Sequence, residues 1–314
     1  MSSTAISRRG ILVSGTAAVG AILASGASAA PAAEKPAGFK FCLNGCTIWG
    51  QKRLPLVQQL QTAAKAGFDA FEPWLQDIEA AVKGGQSLAD LRKRISDLGL
   101  SIENAIGFAA WIVDDPAARA RGLDQFKRDM DTIAQLGGKR IAAPPVGATN
   151  IASFDLAKAA ERYRDLCEIG QQFSVAPQIE IWGSSKTLSK LGEALCVAAE
   201  SGHPLACVLP DVFHMYKSGT SFGGFRIASR FAVQELHLND YPDNPPRDKI
   251  RDEHRVFPGD GIAPLPTILK DLRANNPRCV LSLELFNREY WKQDPLAVAQ
   301  TGLAKMKAVA ERAA

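Results

Sequence analysis

Residues 205–239 read LACVLPDVFHMYKSGTSFGGFRIASRFAVQELHLN and contain one complete strand–helix–strand repeat. The two ends of the stretch, Leu205–Pro210 and Val233–Asn239, are short and largely apolar, which predicts buried strands. Between them, Gly223–Arg230 carries apolar side chains at helical spacing. The repeat therefore predicts two parallel strands joined by a helix, with polar residues placed where the strands end.

The same alternation extends in both directions along the chain and predicts eight strands and eight helices. The predicted strands are Phe39–Ile48, Phe68–Trp74, Leu100–Ile106, Arg140–Pro144, Gln178–Trp182, Leu205–Pro210, Val233–Asn239 and Val280–Phe286. The predicted helices are Leu54–Ala66, Ser87–Leu98, Pro116–Leu136, Leu156–Phe173, Thr187–Ser201, Gly223–Arg230, Pro264–Asn275 and Pro295–Arg312. Eight such units within about 275 residues predict an α/β protein with a single (β/α)8 TIM barrel over residues 38–314.

A doubly wound open sheet is the alternative fold for alternating strands and helices. That fold usually binds a nucleotide through a glycine-rich loop after its first strand. The first strand–helix junction here reads Asn44-Gly-Cys-Thr-Ile-Trp-Gly50, without a G-x-G-x-x-G pattern, and no P-loop pattern occurs in the chain. The sequence therefore favours the barrel and argues against nucleotide binding.

The N-terminal residues predict an export signal. Arg8 and Arg9 precede a short apolar stretch, and Ala27-Ser-Ala29 provides a small-residue cleavage site. We predict a twin-arginine-type signal peptide over residues 1–29 and an Ala- and Pro-rich linker over residues 30–37, with an ordinary secretory signal as the alternative. The expected partner is the twin-arginine export machinery and the expected location is periplasmic or otherwise exported. The apolar stretch is too short to predict a stable membrane anchor.

The balance of charged residues bears on whether the protein binds nucleic acid. The chain has 37 Lys and Arg residues, two of them in the predicted leader, against 33 Asp and Glu residues. This near balance predicts no nucleic-acid partner.

Six cysteines occur without a C-x-x-C pair, which argues against a zinc ribbon. Cys42 and Cys46 lie on one predicted strand, too far apart for a disulfide bond, and the apolar surroundings of Cys207 and Cys279 predict buried thiols.

Four polar residues stand at the ends of consecutive predicted strands, five to eight. They are Glu180, Asp211, His237 and Glu284. In a barrel these strand ends face a shared site, where three buried carboxylates require compensating positive charge. A divalent cation would supply it. Three oxygen donors and one nitrogen favour Mn²⁺, Mg²⁺ or Co²⁺, with Zn²⁺ also open.

The sequence also resembles the sugar phosphate isomerase/epimerase superfamily, which has a xylose isomerase-like TIM barrel. The resemblance covers nearly all of the predicted mature chain. It is most specific in residues 203–214 (HPLACVLPDVFH), 236–240 (LHLND), 255–261 (RVFPGDG) and 282–284 (SLE). It implies that Glu180, Asp211, His237 and Glu284 hold one divalent metal, and that Glu180 and Glu284 are the catalytic acid and base.

The resemblance further implies that His214 and Arg255 contact the substrate. Sugar epimerases of the superfamily carry a second glutamate six residues after the ligand of strand five, where this chain has Lys186. Lys186 either replaces that glutamate as a cationic substrate contact or begins the helix at Thr187 with its ammonium in solvent. Glu72, at the end of strand two, either reaches the substrate pocket or makes a loop hydrogen bond.

The implied activity is isomerisation or epimerisation of a non-phosphorylated sugar, keto-sugar or inositol-like substrate through an enediolate intermediate. Loss of a β-substituent from the same intermediate would make the protein a lyase or dehydratase. An exported sugar-binding protein without turnover is the non-enzymatic alternative. An endonuclease IV-type phosphodiesterase, which needs a histidine-rich cluster of three zinc ions, is the least favoured, since the chain has four histidines.

Overall fold

Parallel strands alternate with helices throughout the part of the chain that the computed structural model describes, residues 38–151 and 153–313. In these residues the strands are β1 Lys40–Asn44, β2 Ala70–Glu72, β3 Ser101–Ile102, β4 Arg140–Ala143, β5 Ala176–Glu180, β6 Cys207–Leu209, β7 Glu235–Leu238 and β8 Val280–Leu283. The predicted leader and linker, residues 1–37, lie outside the described residues.

The eight strands close into a ring. Parallel ladders join them in the orders β3-β2-β1-β8-β7 and β4-β5-β6. The two remaining gaps are bridged locally: Ala142 N–H donates to Ala105 O at 2.9 Å between the β3 and β4 segments, and Val208 pairs with Val233 between β6 and β7. The predicted (β/α)8 barrel is therefore confirmed.

The helices surround this ring. They are α1 Leu56–Ala66, α2 Leu75–Lys83, α3 Leu88–Asp97, α4 Pro116–Gln135, α5 Leu156–Phe173, α6 Leu191–Glu200, α7 Val212–Ser218, α8 Leu265–Asn275 and α9 Pro295–Glu311. The longest helices begin at an aspartate, as at Asp115 and Asp294, whose side chain accepts a hydrogen bond from a backbone N–H of the first turn. This cap satisfies a donor that the helix itself leaves unpaired. Among the described residues, every helix is too short or too polar to span a membrane.

The structure corrects several predicted boundaries. Strand β1 ends at Asn44, and Cys46 lies in a 3₁₀ helix, Gly45–Ile48, because the Asn44 side chain accepts a hydrogen bond from Cys46 N–H at 3.0 Å. The predicted helix Gly223–Arg230 is instead a short 3₁₀ helix, Phe222–Arg226, since two glycines weaken the helical conformation there. Helices α2 and α7 were not predicted.

The buried thiols predicted at Cys207 and Cys279 are confirmed by the structure. Cys42, Cys46, Cys167, Cys207 and Cys279 are buried as free thiols, and Cys196 is exposed. Burial raises the pKa of Cys207 to about 12. These thiols act as small apolar core side chains in this structure rather than as nucleophiles.

Candidate metal centre and active site

The carboxyl ends of β5 to β8 deliver the four predicted ligands to one end of the barrel. Glu180 is the last residue of β5, Asp211 lies two residues beyond β6, His237 is in β7 and Glu284 directly follows β8. All four side chains are buried, with exposures of 0–4%. Parallel strands expose their final side chains at the same rim, which is why residues far apart in sequence meet here.

Three of the four form a tight group, which we call the ligand cluster: Asp211, His237 and Glu284. One ligand atom from each lies within 4.8 Å of the others. His237 Nδ1 is 3.1 Å from Glu284 Oε2 and 3.7 Å from Asp211 Oδ2. Such separations suit a divalent cation, because ligands bound at about 2.0–2.2 Å stand roughly 3–4 Å apart. Within the described residues, no other group of this kind is found.

Glu180 lies beside the cluster but is not part of the tight group. Its Oε2 is buried and has no hydrogen-bond partner among the described residues. Burial, with the nearby charge of Glu284, raises the pKa of Glu180 to about 8. A buried carboxyl oxygen without a partner is costly, so this atom is one that a cation or a substrate hydroxyl would satisfy.

Glu72 holds the imidazole of His237 from behind. Glu72 Oε1 lies 3.0 Å from His237 Nε2, and both side chains are fully buried. The two residues belong to β2 and β7, which are not neighbours, so this contact crosses the barrel interior. When His237 is neutral, with Nε2–H donated to Glu72, Nδ1 carries a lone pair that faces Asp211 and Glu284, and a cation bound there would take the place of the second ring proton.

Three further donors fix the Glu72 carboxylate. Asn44 Nδ2 and Ser282 Oγ donate to Oε2 at 2.7 and 2.6 Å, and Asn104 Nδ2 donates to Oε1 at 2.7 Å. Although burial opposes it, the charge of His237 and these hydrogen bonds lower the pKa of Glu72. Glu72 is absent from the cavity lining. The structure therefore places it behind the imidazole, and a contact with the substrate stays a prediction.

Arg255 joins the two carboxylates of the ligand cluster. Its Nη1 donates to Asp211 Oδ2 and to Glu284 Oε2, both at 2.8 Å. The guanidinium is fully buried between the rings of Phe213 and Phe286, at 4.8 and 5.0 Å from their centroids. Despite burial, His237 and Arg255 lower the pKa of Glu284 to about 2. Two buried carboxylates thus receive part of the positive charge that they require.

These contacts bear on whether a divalent cation fits. His237 Nδ1 is buried and, like Glu180 Oε2, has no hydrogen bond of good geometry within the described part of the chain. Two unsatisfied ligand atoms next to two carboxylates form a donor set of oxygen and nitrogen. This set fits a divalent cation, with Asp211, His237 and Glu284 holding it and Glu180 beside it.

A cavity of about 710 Å³ opens above the cluster. Its polar lining includes both predicted catalytic carboxylates, Glu180 and Glu284, and both predicted substrate contacts, His214 and Arg255. His214 Nε2 accepts from Arg255 Nη2 at 3.2 Å. The structure thus places His214 and Arg255 where a substrate contact is possible, and that contact stays a prediction.

Lys186 is not brought into the cavity. Its side chain is exposed, and its backbone N–H donates to Thr149 O at 2.7 Å in the loop that precedes α6. Helix α6 begins at Leu191, so Lys186 does not begin it either. The exposed side chain agrees with the alternative of an ammonium in solvent, and a contact with the substrate stays a prediction.

Several residues that hold the site in place are not predicted from the sequence. Asn44 and Asn104 hold Glu72, and Asn239 Nδ2 donates to Asp211 Oδ2 at 3.1 Å. Asp240 accepts backbone N–H groups from residues 241, 259, 261 and 263, which fixes the loop after β7 that contains Arg255. Each of these residues is polar and lies at or near the end of an apolar strand, and this pattern could have identified them.

The comparison with known families agrees with this architecture. The sequence pattern of the xylose isomerase-like TIM barrel matches residues 60–309. The chain belongs to the xylose isomerase-like TIM barrel family. Family membership agrees with the ring of strands and with the position of the cavity at their carboxyl ends.

Individual proteins resemble this one over most of their length. An inosose isomerase of Bacillus velezensis is 28% identical over 81% of this chain and 90% of its own. The 3-dehydro-D-guloside 4-epimerase of Escherichia coli is 23% identical over 70% of this chain and 83% of its own. The crystal structure of the IolI protein with a zinc atom has the same fold, with a TM-score of 0.80 at 22% identity over 88% of this chain and 99% of that one.

Proposed function

We propose that this xylose isomerase-like barrel is a metal-dependent isomerase or epimerase of a non-phosphorylated keto-sugar or inositol-like ketone. One observation carries the proposal: Glu180 and Glu284 enter a single cavity from β5 and β8, where Glu284 belongs to the ligand cluster and Glu180 lies beside it. The similarity to an inosose isomerase and to a sugar epimerase supports the same class of activity.

The two carboxylates provide the proton transfers. One removes a proton from the carbon next to the substrate carbonyl, and the other returns a proton. Return to the opposite face of the same carbon inverts it, whereas return to the adjacent carbon moves the carbonyl. Arg255 and His214 line the same cavity. The N–H groups of Arg255 are held by Asp211, Glu284, Asp252 and His214, whereas His214 Nδ1 has no partner among the described residues and can donate a hydrogen bond to a substrate oxygen.

A bound divalent cation would supply Lewis-acid stabilisation of the charge that develops on the carbonyl oxygen. We propose Mn²⁺ as this cation. The site offers three carboxylates and one imidazole, a donor set that suits Mn²⁺, and it lacks the thiolate ligands of a sulfur-rich zinc site. Protein purified without chelators is expected to contain about one metal per chain by inductively coupled plasma mass spectrometry. Zinc as the activating ion would contradict the manganese assignment, and three metals per chain would favour a phosphodiesterase.

Solvent deuterium exchange tests the activity. The Mn²⁺-loaded protein is expected to exchange the hydrogen next to the carbonyl of at least one keto-sugar or inosose in D₂O, as followed by proton NMR. EDTA should abolish the exchange, and added Mn²⁺ should restore it. Exchange with sugar phosphates alone would contradict the substrate class, and tight binding of ketones without any exchange would favour a sugar-binding protein.

We also propose that the protein is exported. The support is sequence-based: Arg8 and Arg9 lie ahead of an apolar stretch with a small-residue cleavage site. Replacing both arginines by lysine is expected to keep the full-length precursor in the cytoplasm, as measured by cell fractionation. Unchanged export of that variant would instead favour the ordinary secretory signal.

A further inference from the structure

The cavity has an aromatic wall that proton transfer at the ligand cluster does not require. Trp74, Phe108 and Trp182 all line it. The ring centroids of Trp74 and Phe108 are 5.3 Å apart, and those of Phe108 and Trp182 are 6.1 Å apart. The three rings therefore form a continuous apolar surface, which we call the aromatic wall.

Phe108 is the exposed member of this wall. Its exposure is 37%, although residues 102–107 and Ala109 on either side are buried. The free part of its ring faces the cavity, because Phe108 is one of the lining residues. An exposed phenylalanine in a ligand cavity contributes little to folding and gains free energy when a ligand covers it.

The wall borders the polar part of the cavity, since Trp182 follows Glu180 by two residues and interacts with its carboxyl group. Phe108 has no polar group and adds apolar surface that the polar lining residues Glu180, Glu284, His214 and Arg255 do not provide. The volume of about 710 Å³ lies well within the range of roughly 300–1,000 Å³ that holds drug-sized ligands. Space and apolar surface thus remain after a single sugar ring is placed over Glu180 and Glu284.

The wall's own chemistry indicates what fills that space. Aromatic faces bind flat apolar groups by stacking and by edge contacts. The indole of Trp74 is fixed, since its Nε1 donates to Asn44 Oδ1 at 2.8 Å, so this part of the surface is formed before any ligand binds. A flat apolar substituent on the reacting sugar would stack on the wall with its whole face, whereas a sugar ring would place only its C–H groups there and leave its hydroxyl groups without hydrogen-bond partners.

We propose that the aromatic wall is a binding subsite for a ring-shaped apolar aglycone, so that the substrate is a glycoside rather than a free sugar. This inference rests on the proposed function for the identity of the reacting ring. It names Phe108, whose side chain has no ionisable group, as a residue that determines substrate specificity without taking part in proton transfer.

Equilibrium binding tests the subsite without any turnover. The probes are phenyl β-D-glucoside and methyl β-D-glucoside, neither of which has a ketone, with binding followed by tryptophan fluorescence of the Mn²⁺-loaded protein. The wild-type Kd for the phenyl compound is expected to be about 10-fold lower than for the methyl compound. Phe108→Ala is expected to remove most of this preference and to leave methyl glucoside binding unchanged.

Phe231→Ala is the matched control, because Phe231 is 65% exposed and lies outside this cavity. It should leave the 10-fold preference intact. Equal Kd values for the two glucosides in the wild type, no binding of the phenyl compound, or an unchanged preference in Phe108→Ala would overturn the subsite. Tighter binding of cellobiose than of phenyl glucoside would assign the wall to a second sugar ring and overturn the aglycone assignment.

The two proposals fail in different ways. Absence of deuterium exchange with every ketone would contradict the isomerase and leave the binding result as it stands. A phenyl preference that depends on Phe108 supports the aglycone subsite whether or not the bound glycoside is turned over.

Discussion

Glu284→Gln is expected to lower kcat for deuterium exchange by about 10²–10⁴-fold, the usual contribution of a positioned proton-transfer group. The substitution keeps the shape of the side chain but removes its charge. It takes away a carboxylate 3.1 Å from His237 Nδ1 and one of the two carboxylates bound by Arg255. Initial rates of exchange by NMR, with metal content measured on the same samples, separate loss of proton transfer from loss of metal.

Glu289→Gln is the matched control for this substitution. The Glu289 side chain is 72% exposed and pairs with Lys292 at the surface, so its neutralisation should leave kcat within about 2-fold of the wild type. If Glu284→Gln keeps more than about a tenth of the wild-type kcat, Glu284 is not a catalytic carboxylate.

Glu72→Gln is expected to weaken metal binding by about 10–100-fold, although Glu72 does not line the cavity above the ligand cluster. The glutamine places an amide NH₂ at one of two oxygens that now accept from Asn44, Asn104, Ser282 and His237. At least one buried donor then loses its acceptor, and the orientation of the imidazole is no longer fixed. The unsatisfied donor should also reduce the free energy of unfolding by about 1–3 kcal/mol.

Titration of the metal-free protein with Mn²⁺, followed by calorimetry, measures this effect. Glu79→Gln is a suitable control on the helix that follows β2, since the Glu79 side chain is 54% exposed and lies 4.0 Å from Lys83. Glu72→Gln with wild-type Mn²⁺ affinity and a wild-type unfolding curve would show that Glu72 neither orients His237 nor stabilises the barrel interior.

The sequence by itself determined the barrel and the strand ends from which the candidate ligands project. A parallel strand buried on both faces is a short apolar run in the sequence. A polar residue at the end of such a run can therefore be recognised from the sequence alone. Glu180, Asp211, His237 and Glu284 were found in this way. Recognising a polar residue at the end of an apolar strand depends only on that strand, so it does not require knowing which strands become neighbours.

Tertiary structure decided which polar groups pair across the barrel and which never reach it. Glu72 faces His237 only because β2 and β7 meet through the barrel interior. Arg255 reaches Asp211 because the loop after β7 folds back over the cluster. Lys186 remains in solvent because its loop is held by Thr149 and α6 begins only at Leu191. Sequence spacing sets the direction of a side chain within its own strand, whereas contacts between distant strands and the path of long loops depend on how the whole ring closes.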